Sequence, residues 1–85
     1  MSSDELTLLR LRIVADADAG ALARVLERFQ NLNVVPRRVL AELSSQGIFS
    51  VEVDIMGVTR HCMDSITTKI GEAPCIHSAH WYPLR

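Results

Sequence analysis

The period of the apolar residues changes once near the start of the chain, and that change restricts the folds open to it. "LTLLRLRIVA" alternates, with Leu9, Leu11 and Ile13 on one face and Arg10 and Arg12 on the other. That is the pattern of a half-buried strand. From Ala19 the spacing becomes helical: Leu22, Val25, Leu26 and Phe29 fall at i, i+3, i+4 and i+7, one apolar stripe. Arg24, Glu27, Arg28 and Gln30 take the opposite side. Asn33 tolerates a left-handed backbone and should end the helix near "NLN".

The same two periods recur downstream. "VVPRRVLAEL" reads as a second strand, with Arg37, Val39, Ala41 and Leu43 on one face and Arg38, Leu40 and Glu42 on the other. Pro36 suits a strand start or an edge. "SSQG" reads as a turn. "IFSVEVDIMG" then alternates, Phe49, Val51, Val53 and Ile55 inward and Ser50, Glu52 and Asp54 outward. Thr59 can cap a second helix whose stripe is Cys62, Met63, Ile66 and Ile70. Gly71 fits a C-terminal cap, and Pro74 forbids continuation. "CIHSAHWY" is a last short strand.

Strand, helix, strand, strand, helix, strand predicts an α+β, ferredoxin-like βαββαβ sandwich: four antiparallel strands with both helices on one face. In the usual order strand one lies beside strand three, and strand three beside strand two. Arg10, Arg12 and Arg38 would then share the open face with Glu52 and Asp54, each opposite-charge pair adding a few tenths of a kcal/mol. The charges played no part in choosing the fold, yet the fold pairs them.

With 85 residues, the chain predicts a single domain over 1–85, its core at about 6–82. So small a domain is marginal alone, and association is the expected support. The net charge of −1 offers no field for nucleic acid or an anionic membrane. Two cysteines make no disulfide scaffold and fit a reducing cytoplasm. "MSSDELTLLR" lacks the long apolar core of a secretion signal, and no apolar run approaches the ~20 residues that span a bilayer.

The turn "ADADAGALARVL" admits several chemistries. Asp16, Asp18 and Glu27 occupy three positions of a calcium loop, but Gly20 and Ala21 fill positions where an oxygen ligand and the glycine belong. A phosphate loop needs more than one glycine, and the two aspartates would repel an anion. The plainer reading is that Asp18 caps the helix, accepting from amides two or three residues on. Cys75 and His77 share a strand face, whereas His80 has the opposite parity unless a bulge intervenes. His61 and Cys62 diverge on their helix. No metal is expected, and buried cysteines with partly exposed histidines are the default. No serine or cysteine has a histidine and carboxylate arranged around it, so no catalytic residue and no cofactor are expected. The arginine-bearing glycine loop of acylphosphatases is not visible, and the open face lacks the stacking aromatics of RNA-recognition modules.

Three stretches, "LRLRIVA", "DAGALARVLERF" and "NLNVVPRRV", make the chain resemble the ACT domain, a regulatory module that binds amino acids. Gly20, Leu22, Val25, Leu26 and Phe29 match its turn-and-helix pattern. Length and the lack of an attached enzyme look most like the short regulatory subunits of acetolactate synthase. The resemblance implies a cytoplasmic homodimer paired side by side, with the exposed edge of strand two protected by pairing. It implies a branched-chain amino acid held at Asp16, Asp18, Ala19, Gly20, Ala21, Leu22, Asn33, Val34 and Val35. It also implies docking on a large thiamine-dependent catalytic subunit. The chain departs from the family pattern at Ala17 and Ala19, where Asp and Pro are usual. Asn33 stands where the family often has glycine, and Val35 replaces an effector-contacting asparagine. Those losses leave a second reading: an ACT-like pair that binds another protein and no effector. Trp81 and Tyr82 could serve an interface or pack on their own sheet.

Overall fold

The computed structural model describes residues 7–84; the acidic segment 1–6, the start of the stretch that lacks a secretion signal's apolar core, lies outside the described residues. The elements are β1 (Leu9–Asp16), α1 (Ala21–Asn31), β2 (Arg38–Leu43), β3 (Ile48–Ile55), α2 (Arg60–Gly71) and β4 (Ile76–Pro83). They form one sheet in the order β2-β3-β1-β4, every adjacent pair antiparallel. This is the ferredoxin-like arrangement expected from the two periods.

One face of β1 and β3 makes the core with the helices. Leu9, Leu11, Ile13, Val51, Val53 and Ile55 are buried against Val25 and Phe29 of α1 and Met63, Ile66 and Ile70 of α2. Thr59 caps α2 as expected, its Oγ1 accepting from Cys62 N–H at 3.0 Å. Asn33 takes the left-handed backbone, with φ 56°, and α1 stops there. Gly71 does not act as a cap: it is the last residue of α2, and Glu72 follows with φ −77°. The chain turns off the helix in right-handed geometry, so no glycine is required.

The opposite sheet face carries the charges. Register places Arg10 opposite Asp54 and Arg12 opposite Glu52, while Arg38 lies opposite Asp54 from β2. Asp54 was expected outside, yet it is only 4% exposed. Arg10 and Arg38 cover it from both neighbouring strands, at 2.8 and 3.6 Å.

The helices leave β2 uncovered. Val39 and Leu43 are on the helix-side face by alternation, yet they are 41% and 63% exposed. The inward stripe expected of strand two therefore forms without the cover that would bury it. At the other edge, Trp81 packs on its own fold: its Nε1–H donates to Asp64 Oδ1 of α2 at 2.8 Å, and the Arg60 guanidinium stands 5.8 Å from its ring centre. No helix among the described residues is long and apolar enough to cross a membrane.

Candidate functional site

The β1–α1 turn is built from backbone bonds around Asp18. Asp18 N–H donates to Asp16 O at 2.7 Å, and Ala21 N–H donates to Asp18 O at 2.9 Å. The Asp18 carboxylate accepts from Gly20 N–H at 2.8 Å. It thus bonds two residues on, as expected, but the amide it meets lies before the helix. Gly20 is the cap residue, with φ −85° and no side-chain cap bond. Asp18 is an Asx-turn residue two positions too early to cap α1. The first helical bond is Arg24 N–H to Gly20 O, at 3.0 Å. The amides of Leu22 and Ala23 precede it and have no intrahelical acceptor.

A cavity of about 280 Å³ opens beside this turn, lined by Ala17, Asp18, Ala19, Leu22, Leu43 and Phe49. Its floor is apolar and its rim holds one carboxylate. Ala21 is not in it: the residue is buried with Ala15 and Cys75 beneath the turn. Asp16 turns the other way, its carboxylate 2.6 Å from His77 Nε2.

The remaining candidates lie elsewhere. Asn33, Val34 and Val35 follow the far end of α1, an 11-residue helix about 16 Å long. There they line a second, open groove of about 440 Å³ with Leu26, Phe29 and Val39. Within one chain the two halves of the candidate site are therefore apart. From the sequence Ala17 stands out only as a departure from the family pattern, and Leu43 and Phe49, which close the turn cavity, only as strand residues. They come from β2 and β3, and only the strand order brings them beneath Leu22.

The metal candidates do not assemble. The ladder between β1 and β4 shifts register between Val14 and Ala15, so the bulge that the sequence left open exists. It takes His77 to Asp16 and sets His80 opposite Arg12. Cys75 is buried in the small apolar cluster. Among the described residues no group of three or more His, Cys, Asp or Glu could hold a metal ion.

A four-stranded ferredoxin-like sheet with a cavity at the first helix start and an uncovered edge strand is the architecture of a small α+β module. The sequence matches the ACT-like domain family over residues 2–85, and the chain belongs to that family. ACT domains are generally regulatory and non-catalytic.

Solved structures show the same fold. The C-terminal domain of the MgtC protein from Mycobacterium tuberculosis superposes with a TM-score of 0.75 at 14% identity, over 99% of this chain and 94% of that one. The ACT domain of the GTP pyrophosphokinase from Chlorobium tepidum gives 0.75 at 15% identity, over 88% and 96%. A homoserine dehydrogenase from Thiobacillus denitrificans gives 0.77 at 11% identity; this chain is matched over its whole length, but only 19% of that enzyme is covered. No curated protein matches the sequence at a significant level.

Proposed function

We propose that the chain is a non-catalytic ACT-like regulatory domain that works as a side-by-side pair and takes a small apolar amino acid at the β1–α1 turn. The observation that carries this reading is the turn cavity itself, which is small, mostly apolar and lined in part by Leu43 of the uncovered strand β2. The amides of Leu22 and Ala23 suit the ligand's carboxylate. The Asp18 carboxylate suits its ammonium group, and Ala17, Ala19, Leu22, Leu43 and Phe49 suit an aliphatic side chain. A cavity at the lower end of ligand-pocket volumes fits one amino acid and little more.

The likeness of "DAGALARVLERF" to short acetolactate synthase regulatory subunits makes a branched-chain amino acid the first ligand to test. It makes a large thiamine-dependent subunit the first partner to test. Neither the geometry nor the neighbours tie the chain to that enzyme, so the ligand is proposed by class alone. Calorimetric titration with valine, leucine and isoleucine should show saturable binding at one site per chain. No heat with any of them would remove the branched-chain assignment.

A second reading has its own support. Leu32, Val35, Val39, Leu43 and Ile48 are large, apolar and exposed, several of them on the β2 side of the fold. Alanine and valine stand where polar effector contacts would be expected. On that reading the pair binds another protein and no amino acid. A flat titration from a chain that still dimerises would favour it.

A further inference from the structure

The open sheet face steps down from long side chains to short ones. Register sets Glu52 beside Arg12, and Arg12 beside His80, in one cross-strand row. The next row, toward the β1–α1 end, holds Glu42, Ser50 and Val14. Ser50 and Val14 are short where Glu52 and Arg12 are long. The step leaves a well of about 110 Å³, walled by Leu40, Glu42, Glu52, Arg12 and His80 over a floor of Ser50 and Val14. None of these residues lines the turn cavity, and the well is complete within one chain.

The charges in the well are sorted by strand. The carboxylates of Glu42 and Glu52 come from β2 and β3; the guanidinium of Arg12 and the imidazole of His80 come from β1 and β4. Glu52 is already engaged, its Oε1 3.3 Å from a terminal nitrogen of Arg10 and 4.0 Å from Nε of Arg12. That long contact is the one ion pair of Arg12 among the described residues, and its side chain is 53% exposed. Glu42 has no ion pair or side-chain hydrogen bond among the described residues, and neither has the Ser50 hydroxyl. The His80 ring stacks on Tyr82, 6.1 Å between centres, which sets its plane beside Arg12.

Two opposite and largely unpaired charges therefore face one hollow from strands two places apart. Their backbones are separated by about 10 Å across the sheet, and both side chains are long enough to span part of that distance. A simple ion cannot serve both groups: an anion would meet Glu42, and a cation would meet Arg12. A ligand that suits both carries an ammonium group and a carboxylate on a short chain. An α-amino acid holds the two on a single carbon and is too short to bridge them. At about 30 Å³ for a water in the liquid, the well has room for roughly four heavy atoms, with charged ends at its rim.

We propose that the open-face well binds a small linear ω-amino acid. Its ammonium group meets Glu42 and the Ser50 hydroxyl, its carboxylate meets Arg12 and His80, and its methylenes lie on Val14 and Leu40.

Titration of the isotope-labelled chain with β-alanine and with γ-aminobutyrate, followed by amide chemical shifts, tests this. Saturable shifts at Val14, Ser50 and Glu52 with either probe are the expected result, with none for propionate or propylamine at the same concentrations. Glu42→Gln and Arg12→Gln should each weaken binding roughly ten- to hundredfold, the worth of a hydrogen bond to a charged group. Neither residue is in the core, and the amide spectrum of each variant reports its fold directly. No saturable shift at Val14 and Ser50 with either probe would overturn the proposal. Equal binding of propionate, propylamine or glycine would overturn it too, as would undiminished binding by a folded Glu42→Gln chain. Valine separates this site from the turn: its shifts should appear at Leu22 and Ala23. Their absence would count against the turn reading alone, because the well is read at Val14 and Ser50.

Discussion

Arg10 grips Asp54 with both arms of its guanidinium, Nε to Oδ1 at 2.8 Å and a terminal nitrogen to Oδ2 at 3.0 Å. The fork spans the two central strands on the face that no helix covers. Hydrogen bonding by Arg10 holds the Asp54 carboxyl below its usual pKa, more than burial can raise it. A depressed folded-state pKa gives stability that is present above the unfolded value near pH 4. It is lost as the pH falls through the folded value. Asp54→Asn should therefore lower stability at pH 7 by about 2–4 kcal/mol, since it breaks a largely buried pair. It should also flatten the loss of stability below pH 4. Urea melts at pH 7 and pH 3 check both; an Asp54→Asn chain as acid-sensitive as the original would count against this role for Asp54.

Trp81 has one acceptor, Asp64 Oδ1, and the bond joins β4 to α2 at an exposed position. Asp64→Asn keeps a carbonyl oxygen there and should change little. Asp64→Ala removes the acceptor and should cost about 0.5–1 kcal/mol, or several degrees in the melting temperature of a domain this size. Thermal melts followed by the fluorescence of the single tryptophan measure it. Equal losses in the two variants would point to helix charge and not to the bond.

Gly20 occupies a position that any residue can adopt. Its φ is −85°, and an added Cβ would meet Asp18 Oδ1 at an ordinary 3.5 Å. Gly20→Ala should stay within about 1 kcal/mol of the original, with the smaller unfolded-state entropy offsetting a poorer cap. Asp18→Ala should cost about 0.5–1 kcal/mol through the lost bond to Gly20 N–H. Both should retain full helix content by circular dichroism. Loss of α1 in either would show that the turn is strained.

The fold was legible because every level of the sequence agreed: two periods, six segments, and charges that pair only in the observed strand order. Arg10, Arg12 and Arg38 found Asp54 and Glu52 as expected. What alternation could not show was cover. Val39 and Leu43 carry the pattern of an inward face, but β2 lies beyond the reach of the helices. Nor could it show that two arginines would bury Asp54 on the open face. The candidate site was half legible. Local spacing located the turn, and Asp18 bonds two residues on, but it stands two residues before the cap position, Gly20. Leu43 and Phe49 were missed because their place beside Ala19 and Leu22 depends on strand order and not on any motif. Asn33–Val35 were grouped with the turn by resemblance, although α1 holds them apart in one chain.

Val39 lies on the exposed β2 edge, beside the Asn33–Val35 groove and outside the turn cavity, so Val39→Asp should abolish pairing while leaving the turn cavity's own residues in place. The direct test compares melting of the unaltered and Val39→Asp chains with each amino acid in turn. At about 100 times Kd a bound effector stabilises by about 2.7 kcal/mol, a rise on the order of 10 °C. The expected result is such a rise with a small apolar amino acid in the dimeric, unaltered chain, and none in a folded, monomeric Val39→Asp chain. No rise with any amino acid, or an equal rise in both chains, would contradict a regulatory site completed by pairing.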